Sequence, residues 1–201
     1  MTHSVIDRQI ASAPFDLAAF ITRFQLQTLR PRSPAHQPRQ AAVLVPIVCR
    51  PSPTLLLTRR APGLRKHAGQ VAFPGGAADR EDGSLIATAL REAQEEVAIP
   101  PQNVTVLGTL SPTDSISGFQ VTPVVGLIPA HTHFHQNETE VAELFEMPLE
   151  DAFALARYYP LDIERQEKRH RVYLSWYQQQ FVWGLTAAII RQLALHVSST
   201  P

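Results

Sequence analysis

Residues 73–99 read FPGGAADREDGSLIATALREAQEEVAI. Asp82 or Ser84 offers a side-chain oxygen to cap a helix, and the apolar spacing carries that helix to about Val97. Ile86, Leu90, Ala93 and Val97 fall at i, i+4, i+7 and i+11, one continuous apolar stripe. Glu92, Glu95 and Glu96 fall at i, i+3 and i+4, on a face roughly 140° from that stripe. Three carboxylates so placed repel one another, at about a few tenths of a kcal/mol per pair. A divalent cation would offset the repulsion, since hard ions such as Mg²⁺ take carboxylate oxygens together with water and substrate phosphate. The competing reading is an ordinary solvated acidic face. The turn Pro74-Gly75-Gly76 weighs against it, because it lets backbone approach a ligand closely, which a solvated surface helix does not require.

Directly upstream, residues 56–76 read LLTRRAPGLRKHAGQVAFPGG. Arg59, Arg60, Arg65, Lys66 and His67 put five cationic or ionisable groups within nine residues of a chain whose formal net charge is +0. Beside an acidic helix, such a cluster suits a substrate with several phosphates. A solubilising loop ion-paired to that helix is the alternative, and turns account for Gly69, Gly75 and Gly76 as readily as ligand contact does.

Working outward, residues 15–29 carry Leu17, Phe20, Ile21 and Phe24 at helical spacing, with Asp16 as N-cap. RPRSPAHQPRQ follows, and Pro31, Pro34 and Pro38 mark it as a linker. Residues 1–37 are therefore expected to be a helix and Pro-rich linker appended to a main domain of residues 38–201, which ends in a C-terminal helix. Strands are expected over residues 41–48, 53–59, 104–110, 121–128 and 171–177. Pro46 suggests that the first of these is an edge or bulged strand. Helical spacing returns at residues 85–97, weakly at 149–156 and clearly at 185–197. Strands and helices mix without regular βαβ alternation, and no repeat is visible.

Composition narrows the function class. A 201-residue chain with 44% hydrophobic and 18% charged residues forms a normal globular core. A neutral chain has no global field to hold a polyanion, which disfavours nucleic acid as partner. The longest apolar run, residues 41–49, contains Pro46 and is far below the roughly 20 residues of a membrane helix. The first residues show no secretory h-region, so a cytoplasmic protein without a membrane partner is expected. Cys49 is the only cysteine, which rules out an intrachain disulfide and a cysteine zinc cluster.

REAQEEVAI, residues 91–99, resembles the core of the Nudix box: Gly, five residues, Glu, seven residues, then Arg-Glu-U-x-Glu-Glu-x-Gly-U, with U aliphatic. Arg91, Glu92, Glu95, Glu96 and Ile99 match in order. Ala98 stands at the Gly position. The upstream part fits as Gly76, five residues, Asp82, then eight residues to Arg91, one more than the pattern, with Asp for Glu. Residues 56–76 resemble a narrower signature, that of the coenzyme A pyrophosphatase branch: LLT-x-RS, three residues, Arg, three residues, Gly, three residues, FPGG. Leu56, Leu57, Thr58, Arg60, Arg65, Gly69, Phe73, Pro74, Gly75 and Gly76 fit, with Ala61 in place of Ser. SGFQVTPVVG, FEMPL and WGLTAAII extend the likeness over about residues 39–191.

The resemblance implies an α/β fold, the Nudix α/β/α sandwich with a mixed sheet and a loop–helix–loop box. It implies Mg²⁺- or Mn²⁺-dependent hydrolysis of a nucleoside diphosphate linked to another group. Glu92 and Glu96 are the implied metal ligands, and Glu95 a further ligand or acid–base participant. Arg91 completes the catalytic set by orienting a box carboxylate. Arg59, Arg60, Arg65, Gly75 and Gly76 are the expected substrate-binding residues. Glu140 and Glu143 are candidates for a base outside the box, with a surface strand or loop as the alternative. The narrower signature points to coenzyme A or its thioesters, cleaved to 3′,5′-ADP and 4′-phosphopantetheine or its acyl form. The 3′-phosphate of that substrate gives the basic cluster a rationale. ADP-ribose, a dinucleotide polyphosphate or a nucleoside triphosphate is the alternative substrate. A catalytically silent nucleotide-binding module would not need to keep the acidic triad. A homodimer is left open. Cys49 is expected in a strand as a buried apolar residue, His131, His133 and His135 in an exposed loop, and Trp176 and Trp183 packing the C-terminal helix onto the sheet. Asp114 and Ser115, in a turn-like segment before an expected strand, are further candidates to reach the substrate.

Overall fold

A computed structural model describes residues 15–27, 39–165 and 168–198. In chain order the elements are α1 (Leu17–Leu26), β1 (Arg39–Cys49), β2 (Thr54–Arg60), β3 (Val71–Ala72), β4 (Gly75–Ala77), α2 (Leu85–Val97), β5 (Thr105–Thr109), β6 (Thr113–Asp114), β7 (Phe119–Pro129), β8 (Val141–Pro148), α3 (Leu149–Phe153), β9 (Tyr159–Arg165), β10 (Lys168–Tyr177), β11 (Gln180–Trp183) and α4 (Gly184–Ser198).

The main sheet runs β3-β2-β1-β7-β5, with β4 on β1, β6 on β7 and β8 on β2. β1 and β7 are parallel from Arg39 opposite Phe119 to Cys49 opposite Pro129, while the other pairs in this sheet are antiparallel, so the sheet is mixed. Residues along β1 alternate between two cores. Ala42, Leu44 and Val48 pack with Ala89, Ala93 and Val97 of α2. Val45 and Ile47 pack with Ile189, Ile190 and Leu193 of α4 on the opposite face. Burial on both faces is why this strand reads as a continuous apolar run, and helices on both sides give the expected α/β/α sandwich.

Two expectations are corrected. β1 lies inside the sheet, not at an edge. Its neighbours on one side, β4 and β2, pair only with residues 41–43 and 47–48. The Leu44 N–H turns to that side and reaches the Pro74 carbonyl at 2.9 Å. By the two-residue alternation the Pro46 nitrogen faces the same interval, where no ladder partner waits for it. Trp176 does not pack α4 onto the sheet; it is 59% exposed and stacks on Phe181.

α1 packs against the main domain, with Asp16 Oδ1 accepting from the Ala19 N–H at 2.9 Å. Phe20 and Phe24 are buried in the same cluster as α4, and the Phe24 ring meets His196 at 5.0 Å, so this helix completes the main core. Most of the expected Pro-rich linker, residues 28–38, lies outside the described residues. Among the described helices, none is long and apolar enough to cross a membrane.

Candidate active site

The two possible caps of α2 divide their work. Ser84 Oγ accepts from the Ala87 N–H at 3.1 Å and caps the helix. Asp82 instead turns to Arg91, accepting from Nε and Nη2 at 3.0 Å each. It also accepts from the Thr88 hydroxyl at 2.8 Å and the Asp79 N–H at 2.9 Å. The Arg91 guanidinium beside it holds the Asp82 carboxyl well below the usual carboxylate range. Arg91 further donates to Glu92 at 2.9 Å, Glu95 at 3.2 Å and the Ala77 carbonyl at 3.3 Å. One side chain thus ties the loop before α2 to its acidic face. The extra loop residue is absorbed without loss of the carboxylate–Arg pairing.

At the other end Ala98 takes φ 57°, ψ 33°, and its N–H reaches the Ala93 and Gln94 carbonyls. Ile99, fully buried, donates to the Ala93 carbonyl at 3.3 Å. Ala98 therefore performs the helix-ending turn of the box Gly, at a steric cost of about 1 kcal/mol.

Glu92 and Glu96 face the backbone of β4. The Gly75 N–H donates to Glu96 Oε2 at 3.2 Å. A Cβ on Gly76 would sit 2.5 Å from the Glu92 carboxylate and displace it, so glycine leaves that carboxylate its place against β4. Glu96 is 3% exposed, and burial, only partly answered by Arg60 and the Gly75 N–H, pushes its carboxyl up to about 7. Burial raises Glu92 as well, against the pull of Arg91. Glu140 adds repulsion to both carboxylates. Its backbone is pinned by Ala61 N–H to its carbonyl at 2.8 Å and by its own N–H to Asn137 at 2.9 Å. Glu95 is exposed and held by Arg91.

Among the described residues no three acidic, His or Cys side chains stand together as a preformed metal cage. The donor set still fits a hard divalent cation. A buried carboxylate, Glu96, and a half-buried one, Glu92, both with raised affinity for protons, offer oxygen donors that the neighbouring cations only partly answer.

The basic segment separates into two groups. Arg60 Nη1 stands 3.6 Å from Glu96 Oε1. Arg60, Lys66 and His67 line a cleft of about 530 Å³. Arg59 is instead bound to Glu143 at 2.7 and 3.0 Å, and Glu143 also accepts from Gln180 at 3.2 Å. Neither joins the Glu92–Glu96 carboxylates. Arg65 is exposed on the loop and does not line the cleft. Gly75 and Gly76 do both jobs, lining the cleft and touching Glu96 and Glu92. Ser115 also lines it, while Asp114 is exposed in β6. Gln70, Ser117 and Thr186 add polar groups, and the rest of the wall is apolar, with Val43, Phe73, Phe119, Trp183 and Leu185. Cys49 lies in β1 as expected but is only half-buried there, at the strand's last residue, and His131, His133 and His135 are exposed as expected.

The NUDIX domain family profile matches residues 38–177, and the chain belongs to the Nudix family. Within it, the chain resembles proteins called uncharacterized Nudix hydrolase NudL. The Pectobacterium atrosepticum protein is 76% identical over 187 residues, covering 93% of this chain and 97% of that one. The Yersinia enterocolitica protein is 64% identical over 192 residues, covering 96% and 98%. Among solved structures, a NUDIX hydrolase from Alicyclobacillus acidocaldarius shares the fold at TM-score 0.51 and 18% identity, covering 80% of this chain and 93% of that one.

Proposed function

We propose that this Nudix protein hydrolyses the diphosphate bridge of coenzyme A or its thioesters, releasing 3′,5′-ADP and 4′-phosphopantetheine or its acyl form. Hydrolysis of a pyrophosphate linkage follows from the family. The choice of substrate is supported by one observation. The signature segment, residues 56–76, contributes Arg60, Lys66, His67, Gly75 and Gly76 to a single cleft, and Arg60 and the two glycines also touch the box carboxylates.

Glu92 and Glu96 are the residues that would hold Mg²⁺ or Mn²⁺, with Glu95, held by Arg91, and Glu140, whose charge acts on both, as the candidates for a base. A divalent ion held there would supply charge neutralisation at the diphosphate and a more acidic water for hydrolysis. Arg91 acts by position, fixing Glu92 and Glu95 against the loop through Asp82. Arg60, Lys66 and His67 receive phosphate oxygens that do not react. Arg65 lies on the same loop and serves a phosphate that extends beyond the cleft. Arg59 would have to leave Glu143 to take part.

Purified protein incubated with coenzyme A and Mn²⁺ should yield 3′,5′-ADP and 4′-phosphopantetheine by mass spectrometry. ADP-ribose, dinucleotide polyphosphates and nucleoside triphosphates belong in the same assay. A higher kcat/KM for any of them than for coenzyme A would overturn the substrate assignment.

A further inference from the structure

The cleft opens onto an apolar surface that neither the sandwich nor the carboxylates use. β9, β10 and β11 form a separate antiparallel sheet. Its register sets Leu161 opposite Val172, Tyr159 opposite Leu174, Leu174 opposite Trp183 and Trp176 opposite Phe181. Residues directly opposite share a face, so these side chains project from one side. Tyr159 is 68%, Leu161 47% and Trp176 59% exposed there. Trp176 stacks on Phe181 at 4.5 Å, and Phe181 on Trp183 at 6.0 Å. Trp183 in turn lines the cleft, beside the exposed Ile116. The row therefore runs without interruption from the cleft to open surface.

Asp162, Arg169 and Arg171 lie on the other face of this small sheet, where Asp162 pairs with Arg169 at 2.8 Å and Arg171 at 2.7 Å. Leu161, Leu174 and Phe181 offer no hydrogen-bonding group, each indole offers one donor and Tyr159 one hydroxyl, so the row is built for apolar contact more than for hydrogen bonding. An exposed apolar patch continuous with a binding cleft marks a place where apolar ligand is buried.

We propose that the row Trp183–Phe181–Trp176, flanked by Leu161 and Tyr159, seats the acyl chain of a coenzyme A thioester, and that the protein prefers medium- and long-chain thioesters to free coenzyme A. This rests on the coenzyme A reading above.

The test compares free, acetyl-, octanoyl- and palmitoyl-coenzyme A with the full chain and with Trp176→Ala, whose side chain is exposed. The wild type should show kcat/KM about tenfold higher for octanoyl- than for acetyl-coenzyme A. Trp176→Ala should remove that advantage and leave free coenzyme A unchanged, and Trp176→Phe should restore most of it. Chain-length independence in the wild type would overturn the proposal. So would an equal loss for free coenzyme A in Trp176→Ala, or a loss of self-association with chain preference intact, which would make the row an interface between copies. Calorimetric binding keeps the two readings apart. Failure to cleave any of the four counts against the coenzyme A reading. Equal affinity of the wild type for octanoyl- and free coenzyme A counts against the row.

Discussion

Arg91 and Asp82 are joined by two hydrogen bonds of 3.0 Å, guanidinium to carboxylate, across a loop one residue longer than the family pattern. The pair fixes where the acidic helix begins to face the β4 backbone. Asp82→Asn should weaken the loop anchor and lower kcat about tenfold, with a smaller change in KM. Asp82 titrates below its ordinary value in the folded protein, so its contribution to stability is present above about pH 4 and is lost as pH falls. Acid unfolding followed by circular dichroism should show that contribution missing from the variant.

Glu96 has the opposite sign. Its carboxyl is pushed up to about 7 from an ordinary 4.5, so burial favours the protonated form. The metal-free protein should be most stable with respect to this group below about pH 4.5, and should lose that stability as pH rises through about 7. Glu96→Gln should flatten this limb and gain on the order of 2 kcal/mol at pH 8 without metal. The same variant should lose turnover by about a hundredfold or more while remaining folded. Thermal melts with and without Mn²⁺, beside product assays, check both.

Gly76→Ala tests the close approach of strand and helix. The added methyl would enter the space of the Glu92 carboxylate, 2.5 Å away. Divalent-ion affinity should fall about tenfold or more, read by Mn²⁺ titration, with secondary structure unchanged.

Ala98→Gly should relieve the left-handed turn at φ 57°. A gain of about 1 kcal/mol in chemical denaturation is expected, with kcat/KM unchanged.

The acidic helix was legible because its apolar stripe and its glutamates each follow the 3.6-residue period, and residues 85–97 form α2 as read. β1, β2 and β7 were legible as apolar runs, whereas β8, eight residues long, was missed because Glu143 and Glu146 break up its apolar residues. β3, β4 and β6, two or three residues each, carry no period that a sequence can display. β9 hid because Pro160 interrupts its alternation of Tyr159, Leu161 and Ile163. In the site, the basic cluster was visible but its division was not. Arg59 and Arg60 are neighbours in sequence, yet one reaches Glu143 and the other Glu96, which only strand pairing decides. Asp82 could be placed by counting to the box, but its grip on Arg91 depended on how the longer loop closes.

On the proposed function, Glu92 and Glu96 hold divalent cations against a diphosphate. Mn²⁺ is titrated into the wild type and into Glu96→Gln and followed by electron paramagnetic resonance. Saturable uptake by the wild type, strengthened by a coenzyme A analogue and lost in the variant, is predicted. No uptake by the wild type, with or without nucleotide, or equal uptake by both proteins, would contradict it.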